Sequence, residues 1–262
     1  MSKREMRGFK PGLKVMISAG AAGIGRIMAE TFADRGAKVH ICDIDDAALD
    51  HLTTKRSDIG SFKADVAHED QVNAWFDIAG TTLDGLDVLI NNAGIAGPTA
   101  PIDEITPDDW RRTIDINLNG HFYCLQRAVP LLKKSDSASI INLSSVAGRL
   151  GFALRTPYAA TKWGVVGLTE SLARELGPYG IRVNAIQPGA VEGPRFENVL
   201  TARADARDET YASVRNKALE KISLRRTVSQ QDIAEMAAFL CTPMGANITG
   251  QALSVCAGVE DI

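Results

Sequence analysis

Val15-Met16-Ile17-Ser18-Ala19-Gly20-Ala21-Ala22-Gly23-Ile24-Gly25 starts as an apolar run, passes through small residues and glycines, and leads to Met28 and Phe32 at helical spacing. The pattern predicts a strand over 14–18, a tight turn and a helix near 24–35. A glycine-rich turn of this kind lets backbone N–H groups and the positive helix end approach a pyrophosphate. It also serves as a plain βα connection with no ligand, so the turn needs support from elsewhere. Asp43 supplies it. It follows Val39-His40-Ile41-Cys42 at the end of a second apolar run. A carboxylate there can accept hydrogen bonds from the ribose hydroxyls of NAD and repel the phosphate of NADP. No basic residue stands beside it, because Ile44-Asp45-Asp46 adds only negative charge. The competing reading is that Asp43 caps a helix starting at Asp45 or Asp46.

Moving outward, short apolar runs near 37–42, 60–64, 86–90, 138–143, 181–186 and 251–255 alternate with helical patterns near 46–56, 69–79, 107–133, 157–177 and 231–241. Such alternation predicts an α/β fold, a Rossmann-type doubly wound parallel sheet of about seven strands with helices on both faces. Thr106-Pro107 and Thr156-Pro157 each place a capping hydroxyl before a proline at the first helical turn. No linker or repeat interrupts the 262 residues, so one domain over 1–262 is expected, with an insertion of one or two helices at about 190–226. The formal net charge of -3 gives no general field toward nucleic acid. Every apolar run is too short for a bilayer, and Met1-Ser-Lys-Arg-Glu-Met-Arg7 has no apolar signal core, so no membrane partner and a cytoplasmic location are expected. Cys42, Cys124, Cys241 and Cys256 form no C-x-x-C pair, and His40, His51, His68 and His121 show no ligand spacing; no metal is expected.

Further motifs follow in order: Asp65-Val66, Asn91-Asn92-Ala93-Gly94, Asn117 in Asp-Ile-Asn-Leu, Ser145 in Asn-Leu-Ser-Ser-Val, Tyr158-Ala-Ala-Thr-Lys162 and Pro188-Gly189. Together with the glycine turn, they make the chain from about Lys14 to Glu260 resemble the short-chain dehydrogenase/reductase family. The resemblance implies an NAD-dependent enzyme that interconverts an alcohol and its carbonyl. It places Ser18, Gly20, Gly23, Ile24, Gly25, Asp43, Asn92, Ala93, Gly94, Pro188, Gly189 and Val191 along the cofactor, with Asp65 and Val66 beside its adenine. Tyr158 and Lys162 are four residues apart in a helical stretch, so both reach one pocket. A free tyrosine with a pKa of about 10 is a poor base at neutral pH unless a cation favours its phenolate, which Lys162 can do while also donating to the nicotinamide ribose. By the resemblance, Ser145 polarises the substrate oxygen and Asn117 holds a water next to the lysine.

Three positions depart from the family pattern. Ala19 stands where the turn usually has its first glycine, Gly193 where a threonine usually meets the carboxamide, and Cys256 where an aspartate is common. Arg149, Arg155 and Arg195 border the expected pocket, which suggests a small polar substrate with an anionic or polyhydroxylated group: a polyol, a sugar or a hydroxy acid. Two alternatives share the fold. One is a 3-oxoacyl thioester reductase, which Asp43 disfavours. The other is a non-catalytic NAD-sensing protein, which the set of Asn117, Ser145, Tyr158 and Lys162 disfavours. The resemblance also implies a homotetramer.

Overall fold

A computed structural model describes residues 8–259. Residues 1–7 and 260–262 lie outside the described residues, so the reading of the N-terminal start falls outside them too. Seven parallel strands form one sheet: β1 (Lys14–Ser18), β2 (Lys38–Asp43), β3 (Ile59–Lys63), β4 (Val88–Asn91), β5 (Ser139–Leu143), β6 (Arg182–Pro188) and β7 (Ala252–Val255). Their spatial order is β3-β2-β1-β4-β5-β6-β7. Strand order reverses between β1 and β4, and a crevice opens at the carboxyl ends of strands at such a switch point.

Period-two geometry explains why the strands read as continuous apolar runs. Val15 and Ile17 of β1, Val39 and Ile41 of β2, and Val88 and Ile90 of β4 enter one buried cluster; Met16, Cys42 and Leu89 enter the other. The first cluster is covered by α1 (Gly23–Asp34) and α9 (Gln230–Leu240), through Met28, Phe32, Ile233 and Ala237. The second is covered by α3 (Glu69–Leu83) and α5 (Gly120–Leu132), through Trp75, Phe76, Cys124 and Leu125. The remaining helices are α2 (Asp46–Lys55), α4 (Pro107–Ile114), α6 (Thr156–Leu176), α7 (Pro194–Arg207) and α8 (Tyr211–Glu220). The insertion therefore holds two helices, α7 and α8.

Three local expectations are corrected. The pattern near 69–79 runs on to Leu83 and ends at Asp84 in the left-handed conformation. The helix expected over 107–133 is interrupted by a π-helical turn over Asp115–Asn119, which separates α4 from α5. A π turn of this kind leaves the chain helical on both sides, so a single helical stretch is read across it. Thr106 does cap α4, accepting from the Asp109 amide at 3.1 Å, but Arg155 and not Thr156 occupies the cap of α6. Its carbonyl takes the Ala159 amide, so Thr156 already lies in the first helical turn.

At the mouth of the switch point, β1 turns into α1. Gly25 must lack a side chain because a Cβ there would stand 2.0 Å from the Ala19 carbonyl oxygen. Ala19 itself has φ 50°, the left-handed region that costs an L-residue about 1–2 kcal/mol. The Ser18 Oγ accepts from the Asn92 and Ala93 amides, each at 3.0 Å, and Asn92 Nδ2 donates to the carbonyls of Ser18 and Ala19. This clamp between β1 and β4 holds the strained alanine. Replacing Ala19 with Gly relieves the strain and returns part of it as chain entropy, for a net gain of about 0.5–1 kcal/mol. Denaturant unfolding checks this; equal or lower stability of the variant would contradict it.

Candidate active site

A cavity of about 560 Å³ runs from the glycine turn across the ends of β4, β5 and β6 to the insertion. Ala22, Gly23, Ile24, Gly25 and Asp43 line its first end, Asn92 and Gly94 its middle, and Ser145, Tyr158, Lys162, Pro188, Gly189 and Val191 its far part. Ser18, Gly20 and Ala93 are absent from the wall. Ser18 lies behind the turn and supports it through the clamp just described.

Asp43 is not the cap of α2; Asp45 takes that role, accepting from the Ala48 amide. One Asp43 oxygen accepts from the Ala21 amide at 3.0 Å, and the other from the amides of Ile44 at 2.8 Å and Asp45 at 3.2 Å. The carboxylate thus secures the turn from below and keeps acceptor capacity toward the cavity. Asp65 and Val66 do not reach the wall. Asp65 accepts from the Ala67 amide and pairs with Arg112 at 3.0 Å. The turn presents backbone rather than side chains, which suits a diphosphate, and the elongated cavity beyond it suits a dinucleotide.

Tyr158 and Lys162 share one face of α6, with Lys162 Nζ 5.6 Å from the centre of the Tyr158 ring. Lys162 is buried and donates to the Leu143 carbonyl at 2.7 Å. Burial pushes its pKa down to about 7, and Arg195 adds repulsion. Ser145, at the end of β5, starts a short 3-10 turn and accepts from the Ala147 amide at 3.2 Å. Its hydroxyl hydrogen remains for an oxygen in the cavity. Asn117 sits in the π turn, fully buried, and its side chain faces neither solvent nor the cavity. It accepts from the Ile95 amide at 2.7 Å and donates to the Ile95 carbonyl and Thr161 Oγ1, fixing the segment after Gly94 against α6.

The three arginines part company. Arg149 is not in the cavity wall; it donates to the Val259 carbonyl and so holds the C-terminal segment. Arg195, on the insertion, spans the cavity and donates to the Gly94 carbonyl. Arg155 is buried in the wall, stacked 5.1 Å from the Tyr158 ring centre. Sequence reasoning missed Arg203 and Phe152, which also line the cavity. The spacing Phe196, Leu200, Arg203 on one face of α7 was the available signal. Gly193 has φ 130°, and a Cβ on it would lie 2.9 Å from Gln230 Nε2, so the backbone here excludes the family's threonine. Cys256 accepts from the Val259 amide, keeping the same tail in place. His40 accepts from Trp75 Nε1, and His121 contacts the Ala93 carbonyl; both are core residues.

Ser145, Tyr158 and Lys162 thus meet in one cavity at the carboxyl ends of the parallel sheet. A family model described as enoyl-(acyl carrier protein) reductase matches residues 19–260. Trans-4-hydroxycyclohexanecarboxylate dehydrogenase of Sinomonas cyclohexanicum is 36% identical over 253 residues, 93% of this chain and 91% of that protein. The 3-oxoacyl-[acyl-carrier-protein] reductase FabG of Staphylococcus aureus is 34% identical over 249 residues, 93% and 96%. An NAD+-bound xylitol dehydrogenase superposes with a TM-score of 0.91 at 27% identity, covering 95% of this chain and 99% of that one. The chain belongs to the short-chain dehydrogenase/reductase family.

The depressed pKa of Lys162 has a sign that can be measured. In the unfolded chain a lysine titrates at about 10.4. Between about 7 and that value the unfolded state binds a proton that the folded state does not, so stability rises with pH across this window, and the penalty is fully present below about 7. Replacing Lys162 with Met should flatten this rise in the cofactor-free protein. Melting temperatures measured from pH 6 to 10 read it out, and parallel slopes for the two proteins would contradict it.

Proposed function

We propose that this chain is an NAD-dependent dehydrogenase of a secondary alcohol, with Tyr158 as acid/base. The observation that carries the reading is Lys162 held beside Tyr158 in a cavity that also receives Ser145 and Asp43. NAD, when bound, supplies the nicotinamide that accepts the carbinol hydride or returns it. Ser145 donates to the substrate oxygen and orients it. Tyr158 Oη takes the alcohol proton in oxidation and gives it back in reduction, a role worth about 10²–10⁴-fold. Lys162 favours the phenolate; negative charge from cofactor and phenolate in turn favours its own protonated form. Asn117 acts by placing the main chain at Ile95 against α6, and so keeps Gly94 at the lysine. Gly23, Ile24 and Gly25 would meet the diphosphate, with Ser18 and Gly20 supporting the turn from behind, and Pro188, Gly189 and Val191 would border the nicotinamide end.

The carboxylate of Asp43 is secured by three amides, and its remaining acceptor capacity toward the cavity would take the ribose hydroxyls of NAD and disfavour an added phosphate. The substrate is a small polar alcohol, and the likeness to a hydroxycyclohexanecarboxylate dehydrogenase and a xylitol dehydrogenase supports hydroxy acids and polyols. The likeness to FabG favours a second reading, reduction of a 3-oxoacyl thioester. One domain carries these parts, with 190–226 as its substrate insertion, in a cytoplasmic enzyme. Among the described residues no helix is long and apolar enough to cross a membrane. Phe122 on α5 and Trp163 on α6 are each 52% exposed, which supports a homotetramer assembled through these helices. Sedimentation should give about four times 28.1 kDa; a single-chain mass would contradict the assembly.

Initial rates with NAD and NADP on hydroxy acids, polyols and acyl thioesters test the reading. NAD with an alcohol should give the highest kcat/KM. Asp43→Asn should lower the preference for NAD over NADP by about tenfold, the loss of one charge interaction of about 1.4 kcal/mol. Preference for NADPH with a thioester in the unaltered enzyme would overturn it in favour of the second reading.

A further inference from the structure

Arg155 is 2% exposed, yet its guanidinium has a single acceptor, the Ala96 carbonyl at 2.6 Å from Nη2. Nε and Nη1 are buried and have no hydrogen-bond partner. A buried cation is normally paired with a carboxylate, and one left unpaired marks a place where a ligand completes the set. Among the described residues, no acidic side chain of the cavity does so. Asp43 is turned to its three amides at the opposite end, and Glu192 accepts from Thr227.

The surroundings increase the imbalance. Arg203 of α7 places its guanidinium 5.0 Å from the centre of the Phe152 ring, and Arg155 lies 5.3 Å from the same centre. Burial pushes the pKa of Arg155 down to about 10; Tyr158 partly opposes this by attraction, while Arg195 and Arg203 add repulsion. Arg155 also occupies the cap of α6, so the positive end of that helix adds to the field. The cofactor's diphosphate does not answer this charge, because its turn lies at the other end of the cavity, beside Asp43. The same wall carries the apolar side chains of Phe152, Phe196, Leu200, Ile222 and Val259.

We propose that Arg155 and Arg203 form a carboxylate subsite, which selects a hydroxy acid whose carboxylate and carbinol sit at opposite ends of an apolar carbon frame. The proposal rests on the reading of Tyr158 as acid/base. Arg155 precedes Tyr158 by three residues and stacks on its ring, so the anion is held one helical turn from the phenol oxygen where the carbinol reacts. A 2-hydroxy acid, with the two groups on adjacent carbons, spans this gap poorly. On binding, the carboxylate replaces part of the contact that both guanidinium groups now make with Phe152, and Arg155 supplies the planar fork that suits two oxygens.

Calorimetric titration with cyclohexanecarboxylate and with cyclohexanecarboxamide, in the presence and absence of NADH, reads the subsite without turnover, since neither probe has a hydroxyl. The unaltered protein should bind the carboxylate at least about tenfold more tightly than the amide. Arg203→Met, at a half-buried position on the insertion, should reduce that ratio by about tenfold, and Arg155→Met, checked for folding by its melting temperature, should abolish it. Equal binding of the two probes, or an unchanged ratio in Arg203→Met, overturns the proposal. If Arg155 serves only Tyr158, Arg155→Met slows anionic and neutral alcohols equally, which also overturns it. Failure of every alcohol to reduce NAD would overturn the reading of Tyr158 instead, while the titration still decides the subsite.

Discussion

The hydrogen bond from the Lys162 ammonium to the Leu143 carbonyl, 2.7 Å long and out of contact with water, is the constraint around which the site is organised. It ties α6 to the end of β5. Ser145, two residues beyond Leu143, and Tyr158, one turn before Lys162, are thereby placed against the same cavity. The contact is costly, because burial pushes the lysine toward neutrality. A neutral amine is a poor partner for a phenolate, so the cation has to be restored by negative charge that arrives with cofactor and substrate. The geometry is set by the fold, and the electrostatics are completed by ligands.

The same logic divides the cavity into two ends. At the β1 turn, Asp43 and backbone amides meet, and the strain at Ala19 is held by the Ser18 and Asn92 hydrogen bonds. At the other end, Arg155 before α6 and Arg195 and Arg203 of the insertion line apolar walls, with no acidic partner among the described residues to pair Arg155. A dinucleotide along the first end and an anionic substrate at the second would bring the charges into balance. The Arg195 bond to the Gly94 carbonyl links the insertion to the β4 side, so the two ends share one roof.

Much of this was legible in the sequence, for physical reasons that differ by element. The central strands could be read because parallel strands buried on both faces must be continuously apolar, as Val88-Leu89-Ile90 is, whereas the edge strands β3 and β7 are only partly buried and carry weaker runs. Tyr158 and Lys162 could be paired because helical geometry makes their spacing a contact. What escaped depends on partners far away in the chain. Arg149 and Arg155 look alike in the sequence, yet one reaches Val259 and the other Ala96. The π turn at Asp115–Asn119 leaves the chain helical on both sides while redirecting Asn117 onto Ile95. The mixed charges of the insertion concealed Arg203, whose place is set by how α7 folds back over the cavity.

The central claim is that Tyr158 moves a proton while the carbinol hydrogen leaves as hydride to NAD. The most direct measurement follows a deuterium on the carbinol carbon of a hydroxy acid substrate, using mass spectrometry of the nicotinamide after mixing with enzyme and NAD. The account predicts that the label appears on the reduced nicotinamide with the unaltered enzyme. It also predicts that transfer falls by about 10²–10⁴-fold in Tyr158→Phe, which still binds NAD. Label released to solvent, or transferred at an equal rate by the phenylalanine variant, would contradict it.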